Sequence, residues 1–83
     1  MRITVKYLAS IREAIGQASE LRDTAAATLA ELRDELLAAS PVHAATLARG
    51  RSVRMALNHV MSDESSALSE GCEVAFFPPV TGG

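Results

Sequence analysis

Cys72 is the only cysteine among the 83 residues. One thiol excludes an intramolecular disulfide framework and any multi-cysteine zinc or iron–sulfur site. It also fits a reducing compartment, so the expectation is a cytoplasmic protein. Charge of one sign is missing too. The chain holds 8 basic and 10 acidic residues, a net −2, and offers nucleic acid no electrostatic footprint. No apolar signal core lies in Met1–Ser10, and charges interrupt the chain long before the roughly 20 apolar residues that a membrane span requires. Neither a nucleic-acid nor a membrane partner is therefore expected. What remains is 48% apolar and 22% charged, ordinary for a folded domain and too apolar for disorder. Typical per-residue stability gives such a domain roughly 4–12 kcal/mol.

The chain reads as a single domain over residues 1–83, with no linker or repeat. Ile3, Val5 and Tyr7 alternate with Arg2, Thr4 and Lys6, the period of a half-buried strand. A short helical turn over Ile11–Ile15 stops at Gly16, which can take the left-handed conformation of a helix end. Gln17–Asp23 reads as a second strand pairing back on the first. Thr28 and Glu31 form a T-x-x-E capping box that opens a helix. Leu29, Leu32 and Leu36 share its apolar face, and Pro41 ends it near Ser40. A second helical patch, His43–Arg49, closes at Gly50. Alternation returns at Val53, Met55 and Leu57, and Asn58–His59 turns the chain into a short strand, Val60–Ser62. Asp63–Ser66 is a surface loop. Leu68–Gly71 then leads into a last strand, Cys72–Phe77, which Pro78 and Pro79 terminate by removing two donors. The first and last strands are apolar enough to lie centrally. This order predicts an α+β fold, a β-grasp roll with a mixed sheet packed on one main helix.

Conventional catalytic sets are nearly absent. No G-x-x-x-x-G-K-[ST] loop is present to cradle a phosphate. His43 and His59 read as surface histidines, because zinc requires three or four ligands at suitable spacing. Asp34, Glu35, Asp63 and Glu64 read as solvated charges, and no base adjoins Cys72 to activate it. The chain is not expected to be an enzyme on its own.

The tail is different. Pro78 and Pro79 hold the departing backbone extended, and Gly82 and Gly83 can enter a channel too narrow for a Cβ. Six extended residues reach about 20 Å. The one reactive group is the carboxylate of Gly83, ionised at neutral pH. Such a carboxylate needs activation as an acyl-adenylate before a nucleophile can displace it.

Val74-Ala75-Phe76-Phe77-Pro78-Pro79-Val80-Thr81-Gly82-Gly83 closely resembles the ending of the small subunit of molybdopterin synthase, the sulfur carrier of molybdenum cofactor synthesis. Leu8–Gly16 resembles that family's segment after the first strand. Leu68, Gly71 and Val74 fit its L-x-x-G-[D]-x-V pattern, with Cys72 where Asp is usual. The resemblance implies a ubiquitin-like carrier that binds no cofactor of its own. An adenylyltransferase of the ubiquitin-activating type would use ATP and Mg²⁺ to adenylate Gly83, and a sulfur donor protein would convert it to a thiocarboxylate. The large synthase subunit, in a heterotetramer of two small and two large subunits, would accept the tail and pass sulfur to cyclic pyranopterin monophosphate. Gly83 would be the reacting residue. Gly82 and Thr81 would thread the channel, with Val80, Pro79 and Pro78 setting reach and direction. Strand parity assigns Val74 and Phe76 to the core and Phe77 to the uncovered face, as an interface anchor. The alternatives are a sulfur carrier for thiamine, cysteine or transfer-RNA thiolation, or a ubiquitin-like protein-modifying tag.

Overall fold

The computed structural model describes residues 1–79. Its elements run β1 (Arg2–Tyr7), α1 (Ala9–Ile15), β2 (Ser19–Asp23), α2 (Leu29–Leu37), α3 (Pro41–Leu47), β3 (Arg54–Leu57), β4 (Val60–Ser62) and β5 (Glu73–Phe77). The five strands form one sheet in the order β2-β1-β5-β3-β4. Only the central pair, β1 with β5, is parallel; the other neighbours are antiparallel. This is the expected β-grasp roll, with its first and last strands at the centre.

The alternation in β1 does what its period dictates. Ile3, Val5 and Tyr7 are almost fully buried and meet Val74 and Phe76 of β5 on the same face. Leu29, Leu32 and Leu36 of α2 are each 0% exposed and join the same core, with Leu47 and Met55. Burying a leucine or phenylalanine side chain contributes about 1.5–3 kcal/mol, so this one cluster supplies most of the driving force.

Helix boundaries differ from the sequence reading in instructive ways. Helix α1 begins two residues early, and Gly16 ends it as expected, at φ +90° with its N–H donating to the Arg12 carbonyl. At α2 the Thr28 hydroxyl accepts from the Glu31 N–H, while the Glu31 carboxylate takes the N–H of Ala27 rather than that of Thr28. The helix stops at Leu37, earlier than Pro41 alone would require. Pro41 instead opens α3 as its first residue, a position where its missing N–H costs nothing, and Ser40 caps that helix by accepting from the His43 N–H. The predicted span His43–Arg49 was therefore displaced, and Gly50 does not close it. Closure comes from Arg33 of α2, whose Nε and Nη2 donate to the Leu47 and Ala48 carbonyls at 2.7 and 3.1 Å.

Between β3 and β4, Asn58 and His59 both have positive φ, +49° and +69°. That is the backbone of a type I′ hairpin. The Asn58 side chain also accepts from the Glu73 N–H at 2.9 Å, pinning the turn to the start of β5. Among the described residues, no helix is long and apolar enough to cross a membrane.

Candidate functional site

Strand β5 is what aims the tail. Parallel pairing with β1 on one side and antiparallel pairing with β3 on the other fix its direction. The Leu8 N–H extends the ladder by donating to the Phe76 carbonyl at 3.0 Å. Pro78 and Pro79 follow, half-buried and outside any strand. Lacking N–H groups, they cannot prolong the ladder. Val80, Thr81, Gly82 and Gly83 lie outside the described residues.

Side-chain parity along β5 is as expected. Val74 and Phe76 are 0% exposed beneath the helices. Phe77 points to the opposite face, where it is half-buried rather than fully exposed. Its register partner is Arg54, and one step back Ala75 pairs with Ala56, which pairs in turn with Met61. Directly paired residues share a face. Small side chains at Ala75 and Ala56 therefore leave a shallow apolar strip between Phe77 and Met61, and Met61 is 60% exposed. Lys6 and Glu73, paired at 3.4 Å, border it on the β1 side.

Beneath the sheet a polar chain crosses the core. Tyr7 is fully buried, stacks on Phe76, and meets the His43 ring edge-on at 5.9 Å. Its hydroxyl donates to Glu20 at 2.9 Å and lies 3.4 Å from His43 Nε2, while His43 Nδ1 sits 2.7 Å from the Ser40 hydroxyl. Burial, reinforced by the bond to Glu20, holds the phenol well above its ordinary range, so it remains a donor. His43 is thus not a free surface histidine, as its sequence context suggested, but a half-buried link between α3 and β1. His59 does sit on the surface, 3.5 Å from Glu73.

Cys72, read as the first residue of the last strand, lies just before β5, is 3% exposed and belongs to the core. Position 72 has the same parity as Val74 and Phe76, which explains its burial. The reading of the carboxylates as solvated needs correction. Asp34 and Glu64 are not simply solvated, since both close on Arg49 at 2.6 Å. Glu35 accepts a hydrogen bond from the Thr24 hydroxyl. Arg33 escaped notice altogether. It is 4% exposed, and burial draws its guanidinium pKa below the ordinary value. Among the described residues no three His, Cys, Asp or Glu side chains gather as a metal site.

The described part of the chain ends in β5 followed by Pro78 and Pro79. The ThiS family model matches residues 5–83. A molybdopterin synthase sulfur carrier subunit from Haemophilus influenzae is 38% identical over 82 residues, covering 98% of this chain and 99% of that protein. The crystal structure of SAMP1 from Haloferax volcanii matches with a TM-score of 0.79 at 25% identity, covering 100% of both chains. The complex of subunits 1 and 2 of the molybdopterin-converting factor from Helicobacter pylori contains a chain that matches with a TM-score of 0.73 at 25% identity, again over 100% of both. With this fold, this tail sequence and relatives matched along nearly their whole length, the chain belongs to the ThiS family and to the family of molybdopterin synthase sulfur carrier subunits.

Proposed function

We propose that this chain carries sulfur for molybdopterin synthesis as a thiocarboxylate on Gly83. The observation that carries the reading is the join between a central strand, β5, and the FFPPVTGG sequence that continues from it. In the proposed cycle the Gly83 carboxylate attacks ATP on an adenylyltransferase of the ubiquitin-activating type. Pyrophosphate leaves and an acyl-adenylate forms. Sulfide-level sulfur from a donor protein then displaces AMP and leaves –C(=O)S⁻; a donor persulfide would first give an acyl disulfide that a thiol reductant cleaves. Mg²⁺ serves the activating enzyme. The large synthase subunit receives the tail, as the Helicobacter pylori complex suggests for a related pair. There the thiolate attacks cyclic pyranopterin monophosphate to form a C–S bond, and water then cleaves the acyl–sulfur bond, leaving sulfur on the pterin and a carboxylate on Gly83. A sheltered tail limits hydrolysis by water, and catalytic acids and bases belong to the partner.

Intact-mass spectrometry of the chain from its native cell tests this. One terminal oxygen replaced by sulfur is the expected result, and removal of Gly82 and Gly83 should abolish it while leaving cooperative unfolding unchanged. A truncated chain that still supports molybdopterin synthesis would overturn the reading. The likeness to SAMP1, a small archaeal modifier protein, favours a second reading in which Gly83 forms an isopeptide bond with a lysine. Lysines carrying the Met55–Gly83 remnant in a tryptic digest, since Arg54 is the last tryptic site, and absent from a strain lacking this chain, would identify it.

A further inference from the structure

A cavity of about 390 Å³ opens beside the root of the tail, between α1, α3 and the segment entering β3. Pro78 forms one wall. Its polar lining is Ser10, Thr46, Ser52 and Arg51, and no carboxylate lines it. The three hydroxyls and the Arg51 guanidinium make no hydrogen bond or ion pair with any described residue. Most other surface cations are compensated, with exposed Arg12 an exception among the described residues. Arg2 pairs with Asp23, Lys6 with Glu73, Arg22 with Glu20, and Arg49 with both Asp34 and Glu64. Arg54, the register partner of Phe77, is likewise without a partner among the described residues. A chain of net charge −2 therefore sets two uncompensated arginines around the point where its tail departs.

We infer that this cavity is a socket for a carboxylate side chain of the protein that receives the tail; the inference rests on the sulfur-carrier reading and extends it. A guanidinium flanked by hydroxyl donors suits a carboxylate, and arginine binds such a group through two parallel N–H donors. The occupant is a protein side chain rather than a free anion because of where the cavity lies. Any surface that encloses the residues after Pro79 must pass over a rim made by Pro78. An aspartate or glutamate on that surface enters the socket as the tail enters its channel, so the contact sets the register of insertion. Arg54 extends the same positive field to the open face of the sheet, where it speeds encounter with an acidic partner.

The test is titration of the large synthase subunit from the same organism against this chain, at low and high salt. Arg51→Glu should weaken binding about tenfold or more at low salt, with less effect at high salt. Arg51→Lys should retain most of the affinity, and thermal melts of both variants should match wild type because Arg51 is exposed. If wild type binds and Arg51→Glu binds equally well, the socket is refuted while the sulfur-carrier reading stands. If wild type does not bind the large subunit at all, that reading falls and the socket with it. Inorganic phosphate is the second probe. Saturable phosphate-induced shifts at Ser10, Thr46 and Ser52, together with unchanged binding of the large subunit by Arg51→Glu, would mark a free-anion site and overturn the inference.

Discussion

Phe76 and Phe77 are consecutive residues of one strand, and they belong to different molecules in a physical sense. Phe76 is sealed among Tyr7, Val74 and the helix leucines, and its work is finished when the chain folds. Phe77 lies half-buried on the face that no helix covers, opposite Arg54. The covered face has large apolar side chains in close contact. The open face has alanines, an exposed methionine and cations. One strand thus serves two masters at a period of two, the fold through its even positions and the surroundings through its odd ones.

Substitutions can break that comparison. Phe76→Asp should abolish cooperative thermal unfolding, because an unpaired charge in the core costs about as much as the whole domain's roughly 4–12 kcal/mol of stability. A folded Phe76→Asp protein would mean the two faces are not distinct. Phe77→Asp should cost about 1 kcal/mol or less in a thermal melt, yet weaken the complex with the large synthase subunit by about 2 kcal/mol, the scale of an aromatic anchor. Binding at wild-type strength would restrict the open face to solvent. Cys72→Ser places a hydroxyl on the covered side and should lower stability by about 1–2 kcal/mol in urea titration, with sulfur loading unchanged. Smallest is His59→Gly. It relieves a positive φ at the second turn residue and should raise stability by about 0.5 kcal/mol, while removing only an exposed pairing with Glu73.

Much of this division could be read from residue order. The parity of β5, the leucine stripe of α2 and the Asn58–His59 turn are local patterns, and local patterns survive in a sequence. Pro78 and Pro79 were equally legible as the end of the ladder, because proline lacks the N–H that it needs. What was hidden depends on distant partners. Nothing near Arg33 says that its guanidinium will close a helix fourteen residues on, and so the end of α3 was misplaced. His43 and Tyr7 are separated by 36 residues, and only the roll of the sheet brings them together. The burial of Cys72 went unread, although its parity with Val74 already marked it. The cavity at Pro78 also draws on α1, α3 and the segment entering β3, so its hydroxyls carry no spacing signature.

The position of β5 has a mechanical side. Traction on the tail pulls along the axis of a strand flanked on both sides, with four residue pairs in register against β1 and four against β3. Ladder bonds run across the strand direction, so this pull loads them in shear and they must fail together. A hairpin tugged at its open end would instead unzip one bond at a time. A partner that grips the tail, or an enzyme that drags it into a channel, therefore holds the domain by its strongest handle.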